Sequence, residues 1–167
     1  MLIEDVPLLE RLLVVDQQGP TRIRVIYAPK LTVFGYLLAN FSELVIGSMT
    51  VQKMNPTSST QYLRTVKVLL IESIGSDLDQ VVRFLRCFSF LFLEMLYIVI
   101  RFRQVVDNVI QYNNPIECLD LHFSEITLNS YRGTLLEIIF ARFFVVRASV
   151  LKIMIFPYIY SAKRMAC

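Results

Sequence analysis

The chain has 167 residues, 17 Lys+Arg, 14 Asp+Glu, one His and three Cys, and 55% of it is apolar. The length suits one domain or a piece of a larger one, and a chain of this size buries enough surface to fold without disulfides. With only 5 Gly and 6 Pro it is not a disordered, collagen-like or linker chain, and a net charge of +3 is too small to indicate nucleic acid.

One pattern recurs along the chain, a hexad of the form apolar-x-x-apolar-x-apolar. It opens at Leu9-Glu-Arg-Leu12-Leu-Val14, with Val6-Pro7 just before it. It returns at Leu31-Thr-Val-Phe34-Gly-Tyr36, preceded by Ala28-Pro29, so that hexad and proline echo repeat at the same interval. Phe41-Ser-Glu-Leu44-Val-Ile46 follows at a much shorter step. Met54-Asn-Pro-Thr-Ser-Ser-Thr60 reads as a loop. The hexad resumes at Val66-Lys-Val-Leu69-Leu-Ile71. Asp77 and Gln80 then stand at capping-box spacing, and Leu78, Val81, Val82 and Leu85 form an i, i+3, i+4, i+7 stripe, which predicts a helix over 77–86. Leu93-Glu-Met-Leu96-Tyr-Ile98 is the next hexad, and Val105, Val106, Val109 and Ile110 hint at a short helix. Ile116-Glu-Cys-Leu119-Asp-Leu121 continues the series. Thr134 and Glu137 predict a capped helix running to about residue 147, apolar nearly all round through Phe140, Phe143 and Phe144 and therefore expected to be covered on both sides. Val150-Leu-Lys-Ile153-Met-Ile155 ends the array in a strand over 151–156.

The steps between hexad starts from 9 to 31, 41 to 66, 66 to 93 and 93 to 116 all fall within the period of roughly 20–29 residues that leucine-rich repeats show. The step from 31 to 41 is short and the step from 116 to 150 long. In each hexad the last two apolar residues alternate as in a strand and point inward, while the first packs beneath the turn entering it. Such a strand is too short to stand alone, and stacking in parallel completes its ladder. The expected fold is therefore α/β: a short, irregular leucine-rich-repeat solenoid with a curved parallel sheet and helical connections.

Residues for chemistry are sparse. His122 is the single histidine and sits beside a predicted strand. Cys87 and Cys118 are too far apart in sequence to make a zinc pattern, and Asp77 with Asp79 is explained by helix capping. Phosphate-binding glycine loops and nucleophile elbows are missing from the sequence. The reading is a non-enzyme without cofactor or metal. Arg22, Arg24, Arg101, Arg103, Arg142, Arg147, Lys163 and Arg164 are scattered and do not form a nucleic-acid stripe. The three cysteines fit a reducing compartment, cytoplasm or nucleus. The apolar stretch 135–160 raises membrane association as an alternative, but Glu137, Arg142, Arg147 and Lys152 interrupt it, each at a cost of roughly 2.5–3.5 kcal/mol in mid-bilayer.

What remains is a surface. The free positions of the hexads place Glu10, Arg11, Glu43, Lys67, Glu94, Tyr97, Glu117 and Asp120 on one candidate protein-binding face of the sheet, joined by Leu13, Val45 and Leu70.

The segments Ile3-Glu-Asp-Val-Pro-Leu-Leu-Glu-Arg-Leu12 and Ile23-Arg-Val-Ile-Tyr-Ala-Pro-Lys-Leu-Thr-Val-Phe-Gly-Tyr36 resemble units of plant F-box/leucine-rich-repeat proteins. Residues 70–88 and 115–122 fit the same group. Ile126-Thr-Leu-Asn-Ser-Tyr-Arg-Gly133, Phe140-Ala-Arg-Phe-Phe-Val145 and Ala148-Ser-Val-Leu-Lys-Ile-Met154 are similar to the start of the FBD region of that family. The resemblance divides the chain into repeats over 1–122, an FBD-like region over 123–156 continuous with them, and a divergent tail over 157–167. It implies the target-recognition part of a cullin-type ubiquitin-ligase receptor. An F-box does not precede the repeats in this sequence, so a Skp-type adaptor would be a partner only where an F-box lies upstream. The target protein is not specified, and a non-functional remnant stays open as a second reading.

Overall fold

The computed structural model describes residues 2–14, 22–38, 43–47, 49–52, 55–56, 64–74, 81–82, 84–85, 90–101 and 116–157. The predicted helix over 105–110 and the Asp77 cap lie outside them.

Two sheets enclose one core. The larger has six parallel strands in the order β11-β10-β9-β8-β4-β2. They are β2 (Arg11–Leu13), β4 (Val33–Leu38), β8 (Val68–Ile74), β9 (Met95–Arg101), β10 (Glu125–Asn129) and β11 (Ile153–Ile155). The second sheet stacks β1 (Leu2–Asp5), β3 (Arg22–Tyr27) and β5 (Glu43–Ile46) in parallel, then ends in the antiparallel strands β6 (Met49–Gln52) and β7 (Asn55–Pro56). Later turns of the chain are backed by helix: residues 81–82 and 84–85 are helical, followed by α1 (Glu117–Leu121) and α2 (Leu135–Arg147).

The hexads explain the larger sheet. Leu12, Phe34, Leu69, Leu96, Ile126 and Met154 stand in register across its six strands. The four central ones are fully buried; burial loosens only at the end strands, which have one neighbour each. One hydrogen-bond device repeats at every junction. The carbonyl of Glu10 accepts the amides of Thr32 and Val33, that of Thr32 those of Lys67 and Val68, and so on through Lys67, Glu94 and Ser124 to Lys152 and Ile153. The rungs thus stand at positions 10, 32, 67, 94, 124 and 152, with the widest gap between the second and the third.

The proline echo has a local cause. The amides of Leu9 and Leu31 donate to the carbonyls of Val6 and Ala28, closing four-residue turns with Pro7 and Pro29 in second place. Proline sets φ for that position of a turn. Leu93 to Phe90 and Leu151 to Ala148 close the same turn without proline.

Three hexads are corrected. In the hexad that starts at Phe41, the described residues Glu43–Ile46 form β5 of the second sheet, because so soon after Leu31 the chain has reached the back of the turn and has not returned to the ladder. Ile116–Leu121 is helix: Ile116 and Leu119 are buried at helical spacing and Leu121 faces out. The strand hexad of that turn is Phe123-Ser-Glu-Ile126-Thr-Leu128, whose three apolar residues are all fully buried. The last hexad is shifted by one, with Leu151 and Met154 inward and Ile153 and Ile155 exposed. Within the expected loop at 54–60, Asn55–Pro56 form β7, and the other positions lie outside the described residues.

Gly35 needs its small size. A Cβ there would lie 2.3 Å from the Cβ of Leu70, which sits over it from the neighbouring strand. Beyond Gly35 the register slips, from Phe34 opposite Leu69 to Leu37 opposite Ile71, so β4 carries one extra residue.

Helix α2 starts as predicted. Thr134 Oγ1 accepts the Glu137 amide, and Glu137 Oε2 accepts those of Thr134 and Arg132 at 3.0 and 2.8 Å. Glu137 is 3% exposed, with its carboxylate held by these backbone donors. Phe140 and Phe144 are buried, and the Phe144 ring packs against those of Phe123, Phe140 and Phe143. The expectation that α2 is covered on both sides is not met: Leu135, Ile138, Ile139, Val145 and Val146 are exposed.

Candidate protein-binding face

The outward face of the six-stranded sheet is built from the hexad positions that do not point to the core. Strands spaced roughly 4.8 Å apart spread this face over about 24 Å. Its first column, just before the strands, holds Glu10, Thr32, Lys67, Glu94, Ser124 and Lys152, whose backbones form the junctions described above. The next column is Arg11, Val33, Val68, Met95, Glu125 and Ile153. The third is Leu13, Gly35, Leu70, Tyr97, Thr127 and Ile155.

Charge thus follows one border of the face and apolar side chains fill its middle. Lys67 Nζ donates to Glu94 Oε1 at 2.8 Å, an exposed ion pair between neighbouring turns. Such a pair adds at most about 1 kcal/mol of stability, so its value lies in fixing two charges side by side. Arg11 and Glu125 lie towards opposite ends of the second column, with half-buried Val33, Val68 and Met95 between them. Leu70 and Tyr97 extend this strip into the third column. Tyr97 is half-buried, and its Oη accepts a hydrogen bond from Asn129 Nδ2 at 2.7 Å, a diagonal contact between adjacent strands. Asn129 is fixed in turn, since its Oδ1 accepts the Ser130 amide.

Glu10, Arg11, Lys67, Glu94 and Tyr97 lie on this outward face. Glu43, Glu117 and Asp120 do not. Glu43 opens β5 in the second sheet, where Val45 is buried, and Glu117 and Asp120 belong to α1. Asp120 Oδ1 instead accepts from Ser149 Oγ at 3.0 Å, tying α1 to the turn that enters β11. Val33, Val68 and Met95 were not among the predicted residues. Their signal was the alternation of the hexad itself, which places the residue before each second apolar position outward.

His122 is exposed and stacks on Phe92 with ring centroids 5.4 Å apart. Among the described residues, clusters of three or more metal-ligating side chains are absent. Among the same residues, helices long and apolar enough to cross a membrane are also absent.

Residues 1–98 match the leucine-rich repeats of FBD-associated F-box protein At5g56370, and residues 111–156 match the FBD. The chain belongs to the FBD-associated F-box/leucine-rich-repeat family. The FBD match spans α1, β10, α2 and β11, and β10 and β11 continue the sheet built by the repeats. Among the described residues, the FBD match thus contributes the strands β10 and β11 to the ladder. The family is of the protein-interaction type. Neither the curated proteins nor the solved structures provide a match.

Proposed function

We propose that this chain recognises a target protein for a cullin-type ubiquitin ligase, and that the target lies on the outward face of the six-stranded sheet. The observation that carries this reading is the apolar strip of Val33, Val68, Leu70 and Met95 running beside the charged border of Glu10, Lys67 and Glu94. An apolar centre with a polar rim is the anatomy of a protein interface. The rim charges alternate, which favours a partner whose own charges alternate and disfavours a uniformly charged polymer. Family membership supports the ligase role, with docking to a Skp-type adaptor supplied by an F-box joined to these repeats. The three cysteines suit the reducing cytoplasm or nucleus, where that ligase machinery works.

The test uses a photo-crosslinking amino acid placed at Met95 and, as a control on another element, at Asp120. The chain is expressed in plant cells joined to an F-box. The expected result is a protein captured through position 95 and not through 120, whose level rises when cullin activation is blocked. Capture through 120 alone would refute the binding face. Capture through 95 of a protein whose level ignores cullin activity would refute the ligase role and leave the face.

A further inference from the structure

Helix α2 presents a second surface that the ladder face does not account for. Its buried side holds Glu137, Phe140, Ala141 and Phe144. Opposite them stand Leu135, Ile138, Ile139, Arg142, Val145 and Val146. Leu135 is 73% exposed and Val146 67%. On a helix, Ile138, Ile139, Val145 and Val146 lie three or four positions from Arg142, so they surround it. Arg142 is exposed and has no hydrogen bond or ion pair among the described residues. The thirteen residues of α2 make a ridge about 20 Å long.

We infer that this ridge docks an amphipathic helix of a partner protein that places one carboxylate, from Asp or Glu, among aliphatic side chains. The geometry rejects two other occupants. A second copy of α2 packed about a two-fold axis at the centre of the ridge would set Arg142 against Arg142. The helix could not answer that charge, because its one acid, Glu137, is buried in the cap. An anionic membrane is the other candidate. Helices that lie in a bilayer surface carry Trp, Phe or Leu on the inserted face and their cations on the opposite one. Here Phe140 and Phe144 turn into the core and the cation stands in the middle of the aliphatic face. An arginine ringed by aliphatic residues is instead the composition of a protein hot spot, where the ring excludes water from a charged pair. The ridges of α2 at i, i+3 and i+4 are shaped for the grooves of another helix.

The probe is a displayed library of five-turn helical peptides with an apolar stripe and one randomised position at its centre, selected on the full chain. The expected result is enrichment of Asp and Glu at that position. Binding of the enriched peptides should fall at least tenfold with Arg142→Glu, and return when the peptide carboxylate is replaced by lysine. Val146→Asp should abolish binding with the circular dichroism spectrum unchanged. The inference is overturned if selection yields no binder, if the enriched peptides show no acidic preference, or if Arg142→Glu leaves their affinity unchanged. It is equally overturned if the chain sediments with phosphatidylserine vesicles through α2, or if it forms dimers that Val146→Asp dissolves.

Discussion

The first turns of the solenoid and the last ones carry the same ladder on different backs. Behind β2 and β4 runs a second parallel sheet; behind β10 and β11 runs the helix α2. The length of the return does not choose between them. The chain from 14 to 32 joins β2 to β4 through strand β3, that from 75 to 94 joins β8 to β9 past helical residues, and that from 130 to 152 joins β10 to β11 through α2. The three returns are of similar length. The side-chain period chooses. In β3 the buried residues alternate, Ile23 and Val25 in and Arg22 and Arg24 out. In α2 they fall at 137, 140, 141 and 144. Six strand residues and thirteen helical ones both cover about 20 Å, so either back closes the same core. The change of back coincides with the longest interval of the ladder, from the rung at Thr32 to the rung at Lys67. Strands β6 and β7 occupy part of that excess and end the parallel stack.

The strongest way to break this comparison is to empty one back and read the other. Phe144→Ala removes a fully buried ring packed on Phe123 and Phe140, and should cost about 3–5 kcal/mol in chemical denaturation. If the turns are coupled mainly to their neighbours, amide exchange should accelerate in β10 and β11 and remain slow in β3. Equal acceleration throughout would show that both backs share one cooperative unit. Gly35→Ala probes the ladder where the backs change. It should cost about 1–3 kcal/mol by overpacking against the Cβ of Leu70, and combining it with Leu70→Gly, which removes that Cβ, should cost less than the sum of the two single changes. Additive losses in that double variant would place the strain elsewhere. Thr134→Ala removes the acceptor for the Glu137 amide and should lower stability by about 1 kcal/mol, visible as a drop in Tm with the ladder register unchanged. Lys67→Ala should change stability by less than about 1 kcal/mol, since both members of its pair are about half exposed. Its larger effect is expected on capture of the target at the sheet face.

The ladder was readable in the sequence where three inward residues repeat with a turn before them, as at Leu9, Leu31 and Leu93. The pattern misleads where an apolar triplet fits two structures. Ile116, Leu119 and Leu121 satisfy the strand pattern, but residues three apart also share a helix face, and Leu121 points out. The neighbouring Phe123, Ile126 and Leu128, with β-branched Ile126 and Thr127 side by side, were the true strand. Phe41–Ile46 has the right spacing and the wrong distance along the chain. On the outward face of the sheet, charged residues are conspicuous in the sequence, whereas Val33, Val68 and Met95 look like core until the register fixes their direction. The outward side of α2 was hidden for a related reason: a helix apolar all round reads as buried, and only the packing reveals which half of it was left uncovered.

The repeated junction, one carbonyl taking both amides of the next turn, does not involve the back of either turn. The connection between turns is therefore the same whichever back stands behind it. The rear of a turn can change from strand to helix while the spacing of the displayed side chains stays fixed. What the front displays and what props it up from behind are thus separate choices along one chain.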